Sequence, residues 1–167
     1  GKTITALTFC ANAQTVNRKV YYGNIEGRLR KRDLEGIASL SVDPEHMEII
    51  GSTQGNILSA EKYLGIFDNL IHTQPDCICV VDSFSALSSE SELTGDITDT
   101  QVMSVQKVLA KFCRRISNVL PINKVTVVGI THLMANMSTF GRGKAKVEKS
   151  GSALKYQVDV KLHATHS

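Results

Sequence analysis

Cys77-Ile78-Cys79-Val80-Val81-Asp82-Ser83 is the stretch whose reading decides the fold. Its apolar residues run without polar alternation, which suits a strand buried on both faces, as in a parallel sheet covered by helices. The run closes on a carboxylate and a hydroxyl. A lone Asp is costly to bury, so Asp82 belongs where the strand emerges, at the carboxyl edge where ligands of open α/β sheets collect. Taken alone, the run reads equally as a core strand followed by a capped turn.

Upstream, elements of the same kind alternate. Gly1-Lys2-Thr3 matches the last three positions of the phosphate-loop pattern G-x-x-x-x-G-K-[ST], and a helix-like segment, Ile4 to Gln14, follows. Glycine lets backbone N–H groups approach phosphate, lysine reaches the β and γ phosphates, and the hydroxyl ligates Mg²⁺. A bare G-K-T carries little weight. Joined to an apolar strand that ends in Asp, it becomes a nucleotide-site hypothesis, because Mg²⁺ needs a carboxylate nearby. The numbering opens inside the loop, so the chain reads as cut there. Lys19 to Glu26 is a short strand that delivers Glu26. Arg28 to Leu40 places Leu29, Leu34, Ile37 and Leu40 at helical spacing, so an amphipathic helix is expected. Met47-Glu48-Ile49-Ile50 reads as a strand, and Ile57 to Ile71 as a helix that Thr73-Gln74-Pro75 stops. Strand and helix in alternation are the pattern of an α/β fold with a mostly parallel, helix-covered sheet.

Downstream, Ser85 to Thr100 is polar and acidic and reads as a loop. Gln101 to Val119 returns to helical periodicity through Val105, Val108, Leu109, Phe112 and Ile116. On its polar side Lys107, Lys111 and Arg114 are spaced by four and three positions and share one stripe; a solvated face accounts for such a stripe as well as a binding surface does. Lys124 to Thr131 reads as a second buried strand that delivers His132 to the carboxyl edge. Residues 133–150 lack periodicity. Arg142, Lys144, Lys146 and Lys149 against Glu148 give the segment a net charge of +3 (4 − 1), with one aromatic, Phe140. That composition suits a phosphate backbone and single-stranded bases, and it suits an ordinary surface loop. Gln157 to Ala164 reads as a last strand of alternating character.

Size and composition set the limits. The 167 residues are enough for one domain with a sizeable core. With 42% hydrophobic and 21% charged residues, the chain is globular rather than disordered. A net charge of +3 is too small to argue for nucleic acid by itself. No apolar stretch approaches the ~20 residues of a membrane span, and no signal peptide is visible. Cys10, Cys77, Cys79 and Cys113 lie in apolar periodic segments, so buried reduced thiols and a reducing cytosol are expected.

With these residues laid out, the chain resembles the RecA recombinase core, including its phage UvsX-type relatives. Val80 to Leu87, followed by Glu92 to Asp99, is similar to the family's Walker B strand and first DNA-binding loop. Ser150-Gly151-Ser152-Ala153-Leu154-Lys155-Tyr156 is similar to the segment that closes its second DNA-binding loop. The resemblance implies a RecA-like ATPase core over residues 1–167, with loops near 85–100 and 133–150. It implies ATP and Mg²⁺ as ligands, single- and double-stranded DNA as partners, a helical filament in the full-length protein, and a cytoplasmic setting in a bacterial cell or phage-infected host. Gly1, Lys2 and Thr3 would hold the nucleotide, Thr3 and Asp82 the metal, with Ser83 beside them. Glu26 matches the general base, and His132 the polar residue that senses the γ-phosphate. Lys107 and Arg114 fall where the family lines its DNA path, and Phe140, Arg142, Lys144, Lys146, Ser150, Gly151 and Ser152 fall in the second loop.

Three departures accompany the resemblance. The front of the phosphate loop is absent. Asp33 stands where the family stacks an aromatic on adenine. The chain also lacks the family's N-terminal oligomerisation helix and its C-terminal interface lysines. A non-catalytic paralogue acting as a recombination mediator, or a hexameric helicase or clock-type ATPase of the same fold, is the alternative.

Overall fold

The computed structural model describes residues 1–95, 104–135, 146–148, 154 and 157–164. Helix α1 spans Lys2–Gln14 and leads into strand β1, Val20–Asn24. Then come helix α2 (Lys31–Glu35), strand β2 (Met47–Ile50), helix α3 (Ala60–Thr73) and strand β3 (Ile78–Asp82). A 3-10 turn at Phe84–Ala86 precedes helices α4 (Glu90–Thr94), α5 (Ser104–Ile116) and α6 (Val119–Ile122). Strand β4 (Thr126–Gly129) and the short strands β5 (Leu133–Ala135) and β6 (Lys146–Glu148) follow.

Four strands form one parallel sheet in the order β2-β1-β3-β4. All four therefore end at the same edge. The apolar run of β3 is split between two cores by the pleat: Ile78 and Val80 face one side, Cys77, Cys79 and Val81 the other. On the first side Leu7 and Cys10 of α1 pack with Val20, Tyr22, Met47, Ile78 and Val80. On the second, Leu64, Phe67 and Ile71 of α3 and Leu109, Phe112, Cys113 and Ile116 of α5 pack with Tyr21, Cys79 and Val81. Every residue of β3 is buried, as expected of a central strand covered by helices on both faces. Among the described residues no helix is long and apolar enough to cross a membrane. All four cysteines are free and buried, and burial pushes the Cys10 thiol up to about 12.

Several expectations need correction. The helix expected over Arg28 to Leu40 is only the single turn Lys31–Glu35. Gly36 caps it, and Ser39 adopts a left-handed φ of 65° that a helix excludes. Leu29, Leu34, Ile37 and Leu40 still pack against the α1-side core, so the apolar spacing reported burial rather than helix. Helix α3 starts three residues later than expected, because Ser59 takes the N-cap and accepts from the amide of Lys62. The polar stretch after β3 carries α4, whose capping box joins Ser89 and Glu92.

Strand β4 is half-buried rather than buried, since among the described residues it pairs with β3 alone. The two ends of the segment read as a loop over 133–150 pair as an antiparallel ladder, Leu133 opposite Glu148 and Ala135 opposite Lys146. Residues 158–164 form no strand, and Val158, Val160 and Leu162 are exposed. Alternation marks a face, but a strand also needs a neighbour to bond with.

Candidate functional site: two carboxylates at the strand ends

Parallel strands bring the ends of β1, β3 and β4 together, and the start of α1 lies over the same edge. Gly1 is the N-cap of α1 and offers no side chain to its first amides; Lys2 and Thr3 form the first turn. The helix therefore presents unsatisfied N–H groups, a lysine and a hydroxyl at one point. Thr3 Oγ1 donates to Asp82 Oδ2 at 2.9 Å. Tyr22, fully buried in β1, donates its phenol to the same oxygen at 2.7 Å. Burial first, and then the bond to Asp82, push the Tyr22 phenol well above its ordinary value, so it remains a donor. Among the described residues no donor meets Asp82 Oδ1.

The second carboxylate is held in the same manner from other elements. Glu26 lies two residues past β1, and its amide and that of Ile25 both donate to the carbonyl of Asp82, at 3.2 and 2.8 Å. Glu26 Oε1 accepts from Ser83 Oγ at 2.6 Å and lies 2.7 Å from His132 Nε2. Lys2 Nζ sits 3.4 Å from His132 Nδ1 and 3.1 Å from the carbonyl of Thr131, to which it donates. An ammonium has no lone pair, so Nδ1 is the acceptor and the hydrogen-bond partners assign the ring proton to Nε2, which donates to Glu26. The main chain that carries the ring is anchored by the His132 amide, which donates to Ser85 Oγ at 2.8 Å. The hydrogen bond from Ser83 holds the Glu26 carboxyl below its ordinary range, with His132 and Arg28 adding to it and burial opposing. Glu26 is thus a carboxylate with Oε1 taken by two donors and Oε2 facing, among the described residues, Arg28 alone, 3.8 Å away and largely exposed.

Beside this network lies a depression of about 530 Å³ lined by Ile25, Glu26, Arg28, Ser85, Ala86 and His132. Of the residues singled out in the sequence, Lys2, Thr3, Glu26, Asp82, Ser83 and His132 are brought together here. Lys107 and Arg114 are elsewhere, exposed on α5 with Lys111. Lys146 belongs to β6, while Phe140, Arg142, Lys144, Ser150, Gly151 and Ser152 lie outside the described residues. Asp33 caps α2 by accepting from the amide of Arg30 at 3.0 Å. Sequence reading missed Tyr22, Arg28 and Ser85. Tyr22 looked like one more core residue, although a buried phenol needs an acceptor and the nearest strand end carried one.

A family model described as the RecA N-terminal domain matches residues 1–167. The protein named Protein RecA of Sulfurovum sp. (strain NBC37-1) is 26% identical over 162 residues, 97% of this chain and 44% of that protein. Protein RecA of Mycoplasma mobile is 33% identical over 131 residues, 75% of this chain and 39% of its own length. The DNA repair protein recA homolog 3, mitochondrial, of Arabidopsis thaliana is 27% identical over 165 residues, 98% of this chain and 36% of that protein. The chain spans less than half the length of these relatives.

Proposed function

The chain belongs to the RecA N-terminal domain family, and from that premise we propose that residues 1–167 are the ATP–Mg²⁺-binding core of a DNA recombination protein that hydrolyses ATP when bound to single-stranded DNA. The observation that carries the reading is the convergence of Lys2, Thr3, Asp82, Glu26 and His132 on one strand-end edge, with the two carboxylates each held by two donors on a single oxygen. The residues fit the ligand. A hydroxyl and a carboxylate 2.9 Å apart are hard oxygen donors of the kind Mg²⁺ takes, and the uncapped start of α1 with Lys2 suits phosphate.

In this mechanism Gly1 and Lys2 bind the phosphates, and Thr3 and Asp82 hold the metal and its waters. Bound ATP–Mg²⁺ supplies the phosphoanhydride to be cleaved, with its charge already partly neutralised. Glu26 orients the attacking water through Oε2, the oxygen that Ser83 and His132 leave open. A carboxyl held below its ordinary range suits orientation better than complete proton removal. Lys2 exchanges its contacts with Thr131 and His132 for phosphate, which releases the His132 ring to turn its Nε2–H from Glu26 towards the γ-phosphate and so bias the segment that begins at Leu133. For DNA, the exposed stripe of Lys107, Lys111 and Arg114 supports backbone contact, with Phe140, Arg142, Lys144, Lys146 and Ser150 to Ser152 completing the path. Homologous pairing with double-stranded DNA and a helical filament in the cytoplasm belong to the same proposal.

A second reading is a nucleotide-binding mediator without turnover. What favours it is Asp33, which caps α2 instead of offering a ring to the base. One experiment separates the two. ATP turnover by the full-length protein is measured with and without single-stranded DNA, and again with Glu26→Ala. DNA-stimulated turnover that falls at least ~100-fold in Glu26→Ala supports the recombinase reading. Nucleotide binding with no turnover favours the mediator, and turnover indifferent to Glu26→Ala rules out the hydrolytic role given to Glu26.

A further inference from the structure

Tyr22 is fully buried among apolar side chains from α1, β1, β2 and β3, a setting that by itself asks for phenylalanine. Its hydroxyl nevertheless reaches a carboxylate. Asp82 Oδ2 receives Tyr22 at 2.7 Å and Thr3 at 2.9 Å, and Asp82 is only 8% exposed. A carboxylate turns easily about its last bond, because that torsion is broad. A phenol enclosed on all sides does not move. It therefore sets the plane of the carboxylate and the place of Oδ2. Thr3 has one hydroxyl proton, and Oδ2 takes it, so the lone pairs of Oγ1 stay available to a cation. Oδ1, which meets no donor among the described residues, is left for the cation's waters.

We infer that Tyr22 is a positioning residue for the divalent cation, acting through Asp82 and Thr3 from within the hydrophobic core. The inference rests on the nucleotide-site reading above, and the test distinguishes the failure of either. Mn²⁺ is titrated into the full-length protein holding a non-hydrolysable ATP analogue, and free Mn²⁺ is followed by electron paramagnetic resonance. Tyr22→Phe keeps the ring and removes the donor. A lost hydrogen bond to a charged group is expected to raise the half-saturating Mn²⁺ concentration by about tenfold to 150-fold. Affinity for the analogue in chelator, without metal, is expected to change less than about twofold, since Tyr22 does not face the phosphates. In an Asp82→Asn background the Tyr22→Phe effect on Mn²⁺ should vanish.

Equal Mn²⁺ titrations for Tyr22→Phe and the wild type overturn the inference while leaving the nucleotide site standing. A parallel loss of analogue affinity without metal also overturns it, since that would report general loosening. A wild type that takes up no Mn²⁺ with the analogue overturns the nucleotide-site reading, and the role of Tyr22 falls with it. Should Tyr22→Phe not fold, ultraviolet resonance Raman difference spectra of the wild type serve instead. A change in tyrosine donor strength on adding Mn²⁺ supports the inference, and an unchanged spectrum overturns it.

Discussion

Replacing Ser83 with alanine is expected to reveal how strongly the Glu26 carboxylate is held. Ser83 is fully buried, and its hydroxyl donates to Glu26 Oε1 at 2.6 Å, the largest cause of that carboxyl's lowered pKa. A hydrogen bond to a charged group contributes about 1.5–3 kcal/mol, against about 0.5–1.5 kcal/mol for a neutral pair. Ser83→Ala should therefore lower stability at about pH 7 by the larger amount, or roughly 3–12 °C in Tm for a chain of this size. A depressed carboxyl stabilises the fold above its unfolded pKa, near ~4.3, and that contribution disappears as pH falls through the folded pKa. The cost of Ser83→Ala should accordingly shrink to the smaller amount at an acid pH below the folded pKa of Glu26. Urea unfolding of both proteins at the two pH values measures it. A cost that is the same at both would refute the argument, because the bond would then not be reading the charge on Glu26.

Two other expectations follow from the packing and the surface. A methyl group added at Gly23 would lie 2.9 Å from the Phe67 ring and 3.2 Å from the carbonyl of Val80, so Gly23→Ala should destabilise by about 1–3 kcal/mol in the same urea assay. Replacing both Lys107 and Arg114 with alanine should weaken single-stranded DNA binding and reduce the slope of log affinity against log salt by about 1.4, as fluorescence anisotropy over a salt series would record. An unchanged slope would place the DNA elsewhere.

Legibility varied with how local the cause was. Strand β2 is where the four residues Met47 to Ile50 place it, and β3 follows from an apolar run that only a doubly covered strand explains. Asp82 and Glu26 were visible because a carboxylate that closes an apolar strand has few places to go. The network that fixes them was not visible, since Tyr22 lies within β1 while Ser83 and His132 follow β3 and β4, and the adjacency of these strands is set by sheet order rather than by sequence. Helix α2 was overcalled because Leu34, Ile37 and Leu40 reach the core from successive turns as well as from a helix. Helix α4 was legible and passed over: Ser89 and Glu92 stand at capping-box spacing in a stretch whose polarity suggested a loop.

The carbonyl of Asp82 has a further consequence for how such a site tolerates drift. It accepts from the amides of both Ile25 and Glu26, so the spacing of the two carboxylates is set by main chain bonded to main chain. A carbonyl cannot be substituted. Side chains around it can turn over without changing how far apart the carboxylates stand, provided neither position 25 nor 26 becomes proline, which would remove a donor. At 26–33% identity to its relatives, the chain has replaced most of its side chains, and a brace built from backbone is the kind that outlasts such replacement.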